Sequence, residues 1–253
     1  MKSLACSFGL LLAAVSYPAP AQTASDTTTS QNEATATVRP ATAAALARAV
    51  TPSDVVIPAE LEEVRKAILS IPTLDEDAKQ LEQEYPGLYA AVWTAVEPEM
   101  RRQIEVDRPG FWAKLEQLYL ARLTEREAQG LLAFFQSATG QKLIRNMYGS
   151  IDASPLFAEL AKSDKATIGA PQIQAVTDAA KAKAVGQMGP EDESSLVTLA
   201  AAMDLKKFQE IGAETQKISV DWANREDPEG EEKIAKIMET AMERYMDAHP
   251  PKD

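Results

Sequence analysis

The sequence predicts an all-α protein, a multi-helix bundle or an array of helical hairpins with two weakly similar halves. Three observations carry this. From about Val55 onward apolar residues recur at spacings of three and four, the period of an amphipathic helix. Helix starts are marked by prolines and capping residues, above all Thr124-Glu125-Arg126-Glu127. There the threonine hydroxyl accepts a first-turn amide and Glu127 reaches back to the cap. No stretch alternates with period two over a useful length, so no sheet is expected.

The N-terminus comes first because it sets the compartment. Lys2 precedes an apolar run from Leu4 to Val15, closed by Tyr17-Pro18-Ala19-Pro20-Ala21. A positive start, a run of this length and a small-x-small site make residues 1–21 an export signal, with cleavage expected before Gln22. The run is short of the roughly 20 apolar residues needed to span a bilayer. Cys6, the only cysteine, lies at the start of the run rather than its end, which argues against lipidation. A periplasmic protein without disulfides is expected, stable through its core alone. Residues 22–54 read as a flexible Ala/Thr-rich tether, because Gln22–Arg39 offers almost nothing apolar to bury. Within it Ala41–Val50 reads as a short, loosely docked helix. Residues 55–253 form the expected all-helical domain. With 38 acidic and 26 basic residues the formal charge is −12. Losing Lys2 makes it one unit more negative, and no basic cluster remains. Nucleic acid and anionic lipid are poor partners for such a chain, and no stable membrane insertion is expected after cleavage.

Pro58-Ala59-Glu60 opens a helix through Ile71, and Thr73 caps the next, through about Tyr85. After Pro86-Gly87, Tyr89, Val92, Trp93, Val96 and Met100 share a face. Pro98 should kink or break that helix, and Pro109-Gly110 should end it. Phe111, Leu115, Leu118 and Arg122 line the next. The capping box at Thr124 starts a helix burying Ala128, Leu131, Leu132 and Phe135. Ser137 caps one that buries Leu143, Ile144 and Met147. Shorter helices are expected over Leu156–Ala161 and Gln172–Ala184. Pro190 starts a helix holding Leu196, Leu199, Ala200 and Met203. Asp204 caps one with Phe208, Ile211, Thr215, Ile218 and Trp222 in phase. The last, Glu229–Ala248, packs through Ile234, Ile237, Met238, Ala241, Met242, Tyr245 and Met246. Laid on itself at an offset of 65, the chain matches Leu123–Leu143 weakly with Met188–Phe208. This suggests repeat units around 111–148 and 188–225.

The stretch Leu123–Ile144 also resembles the domain-of-unknown-function 2059 family of exported bacterial helical proteins. Thr124, Glu125, Phe134, Ser137, Gly140 and Lys142 match its pattern. Phe135 stands where tyrosine is usual and Ala138 where proline is usual. The resemblance implies a helical fold, a periplasmic setting and no assigned activity, and it supplies no catalytic residues. Read as residues alone, Ser137 caps, Gly140 lets two helices approach, and the aromatics pack.

No residue is assigned a catalytic, cofactor-binding or metal-ligating role, and no cofactor is expected. Ser137–Lys142 lacks both the earlier glycine (Phe135 stands there) and the Ser or Thr after Lys142 (Leu143) that a phosphate loop needs. His249, the only histidine, sits before Pro250-Pro251, far from any triad logic. The acid groups Glu62/Glu63, Glu97/Glu99 and Glu191/Asp192/Glu193 suit solvated faces and helix starts. Tyr89, Trp93, Phe111, Trp112, Tyr119 and Phe134 suit either an apolar ligand groove or a core. Met238, Met242, Met246 and His249 share one face, which suits Cu(I) or simple packing, and packing is preferred. The reading that results is a non-enzymatic binding or interaction module, its partner an envelope protein or a small apolar ligand. The alternative is a carboxylate-dependent hydrolase with an inter-helical cleft. A buried carboxylate of raised pKa in a concave pocket would favour the alternative.

Overall fold

The computed structural model describes residues 37–160, 170–202 and 204–250. The expected export signal (residues 1–21), residues 22–36 of the expected tether, Ala161 and Met203 lie outside the described residues. Eleven helices follow one another among those described: α1 Pro40–Val50, α2 Ser53–Leu74, α3 Glu76–Glu84, α4 Leu88–Arg122, α5 Glu125–Gln136, α6 Ala138–Tyr148, α7 Ser154–Leu160, α8 Ala170–Gly186, α9 Pro190–Ala202, α10 Leu205–Ala223 and α11 Pro228–Ala248. The only extended pairing among them is a single antiparallel bridge, Thr37 with Thr124. The protein is all-α.

The long helix α4 is the spine, and α2 runs beside it. Together they pass through two apolar cores. The first gathers α1, Val56 and Ala67 of α2, the C-terminal part of α4, and α5 to α10 around Leu46, Phe111, Leu115, Tyr119, Leu131 and Ile144. The second gathers the rest of α2 and α4 with α3 and α11 around Ile68, Leu88, Val92, Met100 and Met238. Each core forms because the buried positions on α2 and α4 repeat at three and four residues, so α4 serves both cores in succession and α2 serves them through two adjoining rows.

Residues 40–54 are not tether. Ala43, Leu46, Ala47 and Val50 of α1 are fully buried, packed against α4 and α5. Alanine at two of these positions lets the helix axes come close, so a segment poor in side-chain bulk still becomes core. Its entry is fixed by Glu125, which accepts from the Arg39 amide and Nε at 2.7 Å each and from Thr42 Oγ1 at 2.8 Å. Those bonds pull the Glu125 carboxyl down to about 2, the Arg39 amide contributing most.

Neither Pro98 nor Pro109 ends a helix, because both lie inside α4. Each proline orphans the carbonyl four residues back, at Thr94 and Glu105. These residues and both prolines are exposed, so water takes the lost bond and the buried stripe runs on unbroken. Gly110 does not terminate α4 either. A Cβ there would lie 2.8 Å from the Trp222 ring, so glycine lets α10 seat on α4. Finally, Thr73 does not cap α3. It lies inside α2 and donates to the Ser70 carbonyl at 2.6 Å, while Asp75 accepts the Ala78 amide at 2.8 Å. Pro58 is likewise internal to α2, which opens at Ser53.

The other starts stand as read. Thr124 and Glu127 form the reciprocal capping box, Ser137 accepts from the Gly140 amide at 3.1 Å, and Asp204 accepts from the Lys206 amide at 2.8 Å.

Candidate functional site

Where the two cores meet, the buried faces of α2 and α4 turn polar. On α2, Glu60 stands among Val56, Ile57, Leu61 and Val64; on α4, Arg108 stands between Ile104 and Phe111. Glu60 is 4% exposed and Arg108 3%. Arg108 donates to Glu60 Oε2 at 2.9 Å. Burial drives the Glu60 carboxyl up from 4.5 to about 7, against the pull of Arg108. Tyr148 at the end of α6 lies within electrostatic reach of both groups and of Tyr119, and burial raises its phenol far above the ordinary range. Glu60 Oε1, Arg108 Nε and the hydroxyls of Tyr119 and Tyr148 find no hydrogen-bond partner among the described residues. Each unmade bond of this kind costs about 1–3 kcal/mol. Such a layer is therefore costly in stability. What it supplies is register, since only one slide of α2 along α4 brings the two charges together.

One turn further along α2, Glu63 is also buried. Its Oε2 accepts the Ala153 amide at 2.7 Å and its Oε1 takes Lys66 Nζ at 2.5 Å, tying α2 to the turn before α7. Both buried carboxylates of α2 are thus bound by partners within the chain.

Glu60 and Arg108 were not singled out from the sequence. The signal was present: both are charges on an apolar stripe, in phase with Val56, Val64, Ile104 and Phe111. The acids expected on solvated faces or helix starts have separate partners, and two of them, Glu63 and Asp192, are buried instead. Glu62 pairs with Arg65, and Glu97 with Arg101. Glu99 is held at about 2, chiefly by Arg102 and further by Lys233. Glu191 and Asp192 meet Lys142 at 3.2 and 2.6 Å. Lys142 is therefore not an idle surface charge, which corrects the reading of the Ser137–Lys142 turn as cap and glycine alone.

The aromatic set does not line one groove. Tyr89 and Trp93 belong to the second core; Phe111, Trp112, Tyr119 and Phe134 belong to the first. Trp112 lies under the Arg48 guanidinium and donates to Thr51 Oγ1 at 3.0 Å. The methionine stripe is the packing face of α11. Met238 is buried, with Met242 and Met246 packed against the second core. The exposed His249 ring stacks on Tyr245 at 4.2 Å between centroids, and Tyr245 donates to the Pro86 carbonyl at 2.6 Å.

Fold and site together define a helical protein with two cores on one spine, joined by a sealed ionic layer. Residues 111–160 match the model of a family described as an uncharacterized protein conserved in bacteria, DUF2059. The match takes in the last third of α4 with α5, α6 and α7, so it contains the whole stretch Leu123–Ile144 that resembles that family by its residues. No curated protein and no solved structure matched the chain.

Proposed function

We propose that this chain is an exported, non-catalytic interaction module of the bacterial cell envelope. One observation carries the non-catalytic part. The one carboxylate raised towards neutrality among the described residues is Glu60, and it is sealed between two cores and bound by Arg108. A catalytic acid must reach substrate; this one reaches only its own chain. The pattern Lys2, Leu4–Val15 and Ala19-Pro20-Ala21 supports export. Division of the aromatic set between the cores favours an envelope protein over a small apolar ligand as partner.

The raised pKa of Glu60 is the observation that favours the hydrolase reading, and one experiment separates the two. Mature protein and Glu60→Gln are assayed against panels of chromogenic ester, amide, phosphate and glycoside substrates, with circular dichroism confirming that both are folded. No turnover above buffer in either is expected. Turnover in the parent that disappears in the folded Glu60→Gln variant would overturn the proposal. Export is checked by mass measurement of the envelope fraction, where Gln22 should be the first residue. An intact Met1 in the cytoplasm would refute it.

A further inference from the structure

At an offset of 65 residues, three helices fall on three others. The C-terminal half of α4 falls on α8, α5 on α9, and α6 on the start of α10. Glu125 opens α5 and Pro190 opens α9, 65 residues apart. Phe111, Leu115 and Tyr119 of α4 are buried, as are Val176, Ala180 and Ala184 at the equivalent positions of α8.

The equivalence extends to specific bonds. Glu127 is the third residue of α5 and accepts the amide of Thr124, its cap, at 2.7 Å. Asp192 is the third residue of α9 and accepts the amide of Gly189 at 3.1 Å. Lys142, in α6, crosses to Asp192 at 2.6 Å. Lys207, its equivalent in α10, crosses back to Glu127 at 2.5 Å. Helix packing repeats the exchange: α6 lies on α8, α10 lies on α4, and α5 meets α9. When residue i of one unit touches j of the other and j touches i in return, the units are related by a two-fold axis. Two unrelated segments have no reason to obey that rule in both their ion pairs and their helix contacts.

We propose that residues 176–213 are a second copy of the 111–148 unit, and that the unit is a homotypic pairing module whose partner is a unit of its own kind. This chain carries both partners, docked about a local pseudo-two-fold axis and clasped by Lys142–Asp192 and Lys207–Glu127. The second unit begins in α8 rather than at residue 188, because the part equivalent to α4 is α8. Its symmetry is imperfect: α6 is capped at Ser137 and α10 at Asp204, two residues later than strict equivalence. The pairing holds whether or not the chain has a partner in the envelope.

Two double-mutant cycles on the full mature chain test it. One combines Lys142→Met with Asp192→Asn, the other Lys207→Met with Glu127→Gln. Asparagine and glutamine keep an oxygen for the cap amide, so each cycle reads the clasp and not the helix start. Both cycles should give favourable coupling, each shifting Tm by about 2–4 °C and agreeing within about twofold. Coupling at one clasp and none at the other would overturn the symmetry. A second variant replaces residues 176–213 by a verbatim copy of 111–148. It should keep the parent's oligomeric state and show one cooperative transition. A protease-labile graft on an otherwise protected chain would refute homotypic pairing. Should the graft abolish folding altogether, the two cycles alone decide.

Discussion

At Glu60 and Arg108 the helical pattern reserves core positions for aliphatic side chains and the chain places a charge pair there. The consequence is a pH dependence of unusual sign. The folded chain holds the Glu60 proton up to about pH 7, whereas an unperturbed glutamate releases it near 4.5. Between those values the folded state carries the extra proton, so stability falls as pH rises through this window. The loss attributable to Glu60 should be on the order of 3 kcal/mol. Urea denaturation from about pH 4.5 to about pH 8 should show the decline in the parent and not in Glu60→Gln. The lowered carboxyls, Glu99 and Glu125 at about 2, act in a separate window, below pH 4.5, where stability falls as pH falls. Gly140 gives a second test at this scale, because two effects predict opposite signs. Helix propensity favours alanine over glycine by about 1 kcal/mol. A Cβ at Gly140, however, would lie 2.1 Å from the Phe134 carbonyl oxygen, and overpacking costs about 1–3 kcal/mol. Backbone cannot rotate away as a side chain can, so Gly140→Ala should destabilise, read as a lower urea midpoint with unchanged slope.

Among the elements, α1 and α4 depart furthest from their local signals. By composition alanine-rich α1 reads as loosely docked, yet Leu46 has no exposed surface. Leu46→Ala should cost about 2–5 kcal/mol. Trypsin should spare Arg48 in the native chain even though its side chain is exposed, because cleavage needs local unfolding of a helix wedged between α4 and α5. Rapid native cleavage there would restore the tether reading. In α4 the prolines persist because the carbonyls they orphan face water. Pro98→Ala restores one backbone bond and should stabilise by about 1–3 kcal/mol, measured by thermal unfolding. A loss instead would mean that packing on α11 depends on the proline. The caps of α5, α6 and α10 were legible in advance since a cap and its amide lie within three residues of each other. The continuity of α4 was not, because nothing in Pro98 itself says which face it occupies.

At the scale of the whole molecule, two cores share one spine, and the ionic layer fixes how α2 and α4 slide past each other. Removing one partner leaves the other buried without its pair. Above pH 7, where Glu60 is ionised, Arg108→Met should therefore cost about 3–5 kcal/mol. Glu60→Leu together with Arg108→Met should cost much less, with neutrality or a gain as the expected outcome, since an apolar pair of similar volume avoids desolvation. A double variant as unstable as the single would show that the layer does more than set register.

Legible in the amino-acid order is whatever depends on residues a few positions apart. These are the all-α class, the capping box at Thr124, the caps at Ser137 and Asp204, the packing faces of α5 and α6, and the family resemblance over Leu123–Ile144. Helical period and capping act between residue i and residue i+4 at most, so they survive without a fold. Folding in three dimensions sets the burial of α1, the pairing of Glu60 with Arg108 across 48 residues, and the clasps of Lys142 and Lys207 across 50 and 80. A charge on an apolar stripe is visible in one dimension; the opposite charge that meets it is chosen by how helices pack. Those contacts are set by distance in space, which the order of residues along the chain does not fix.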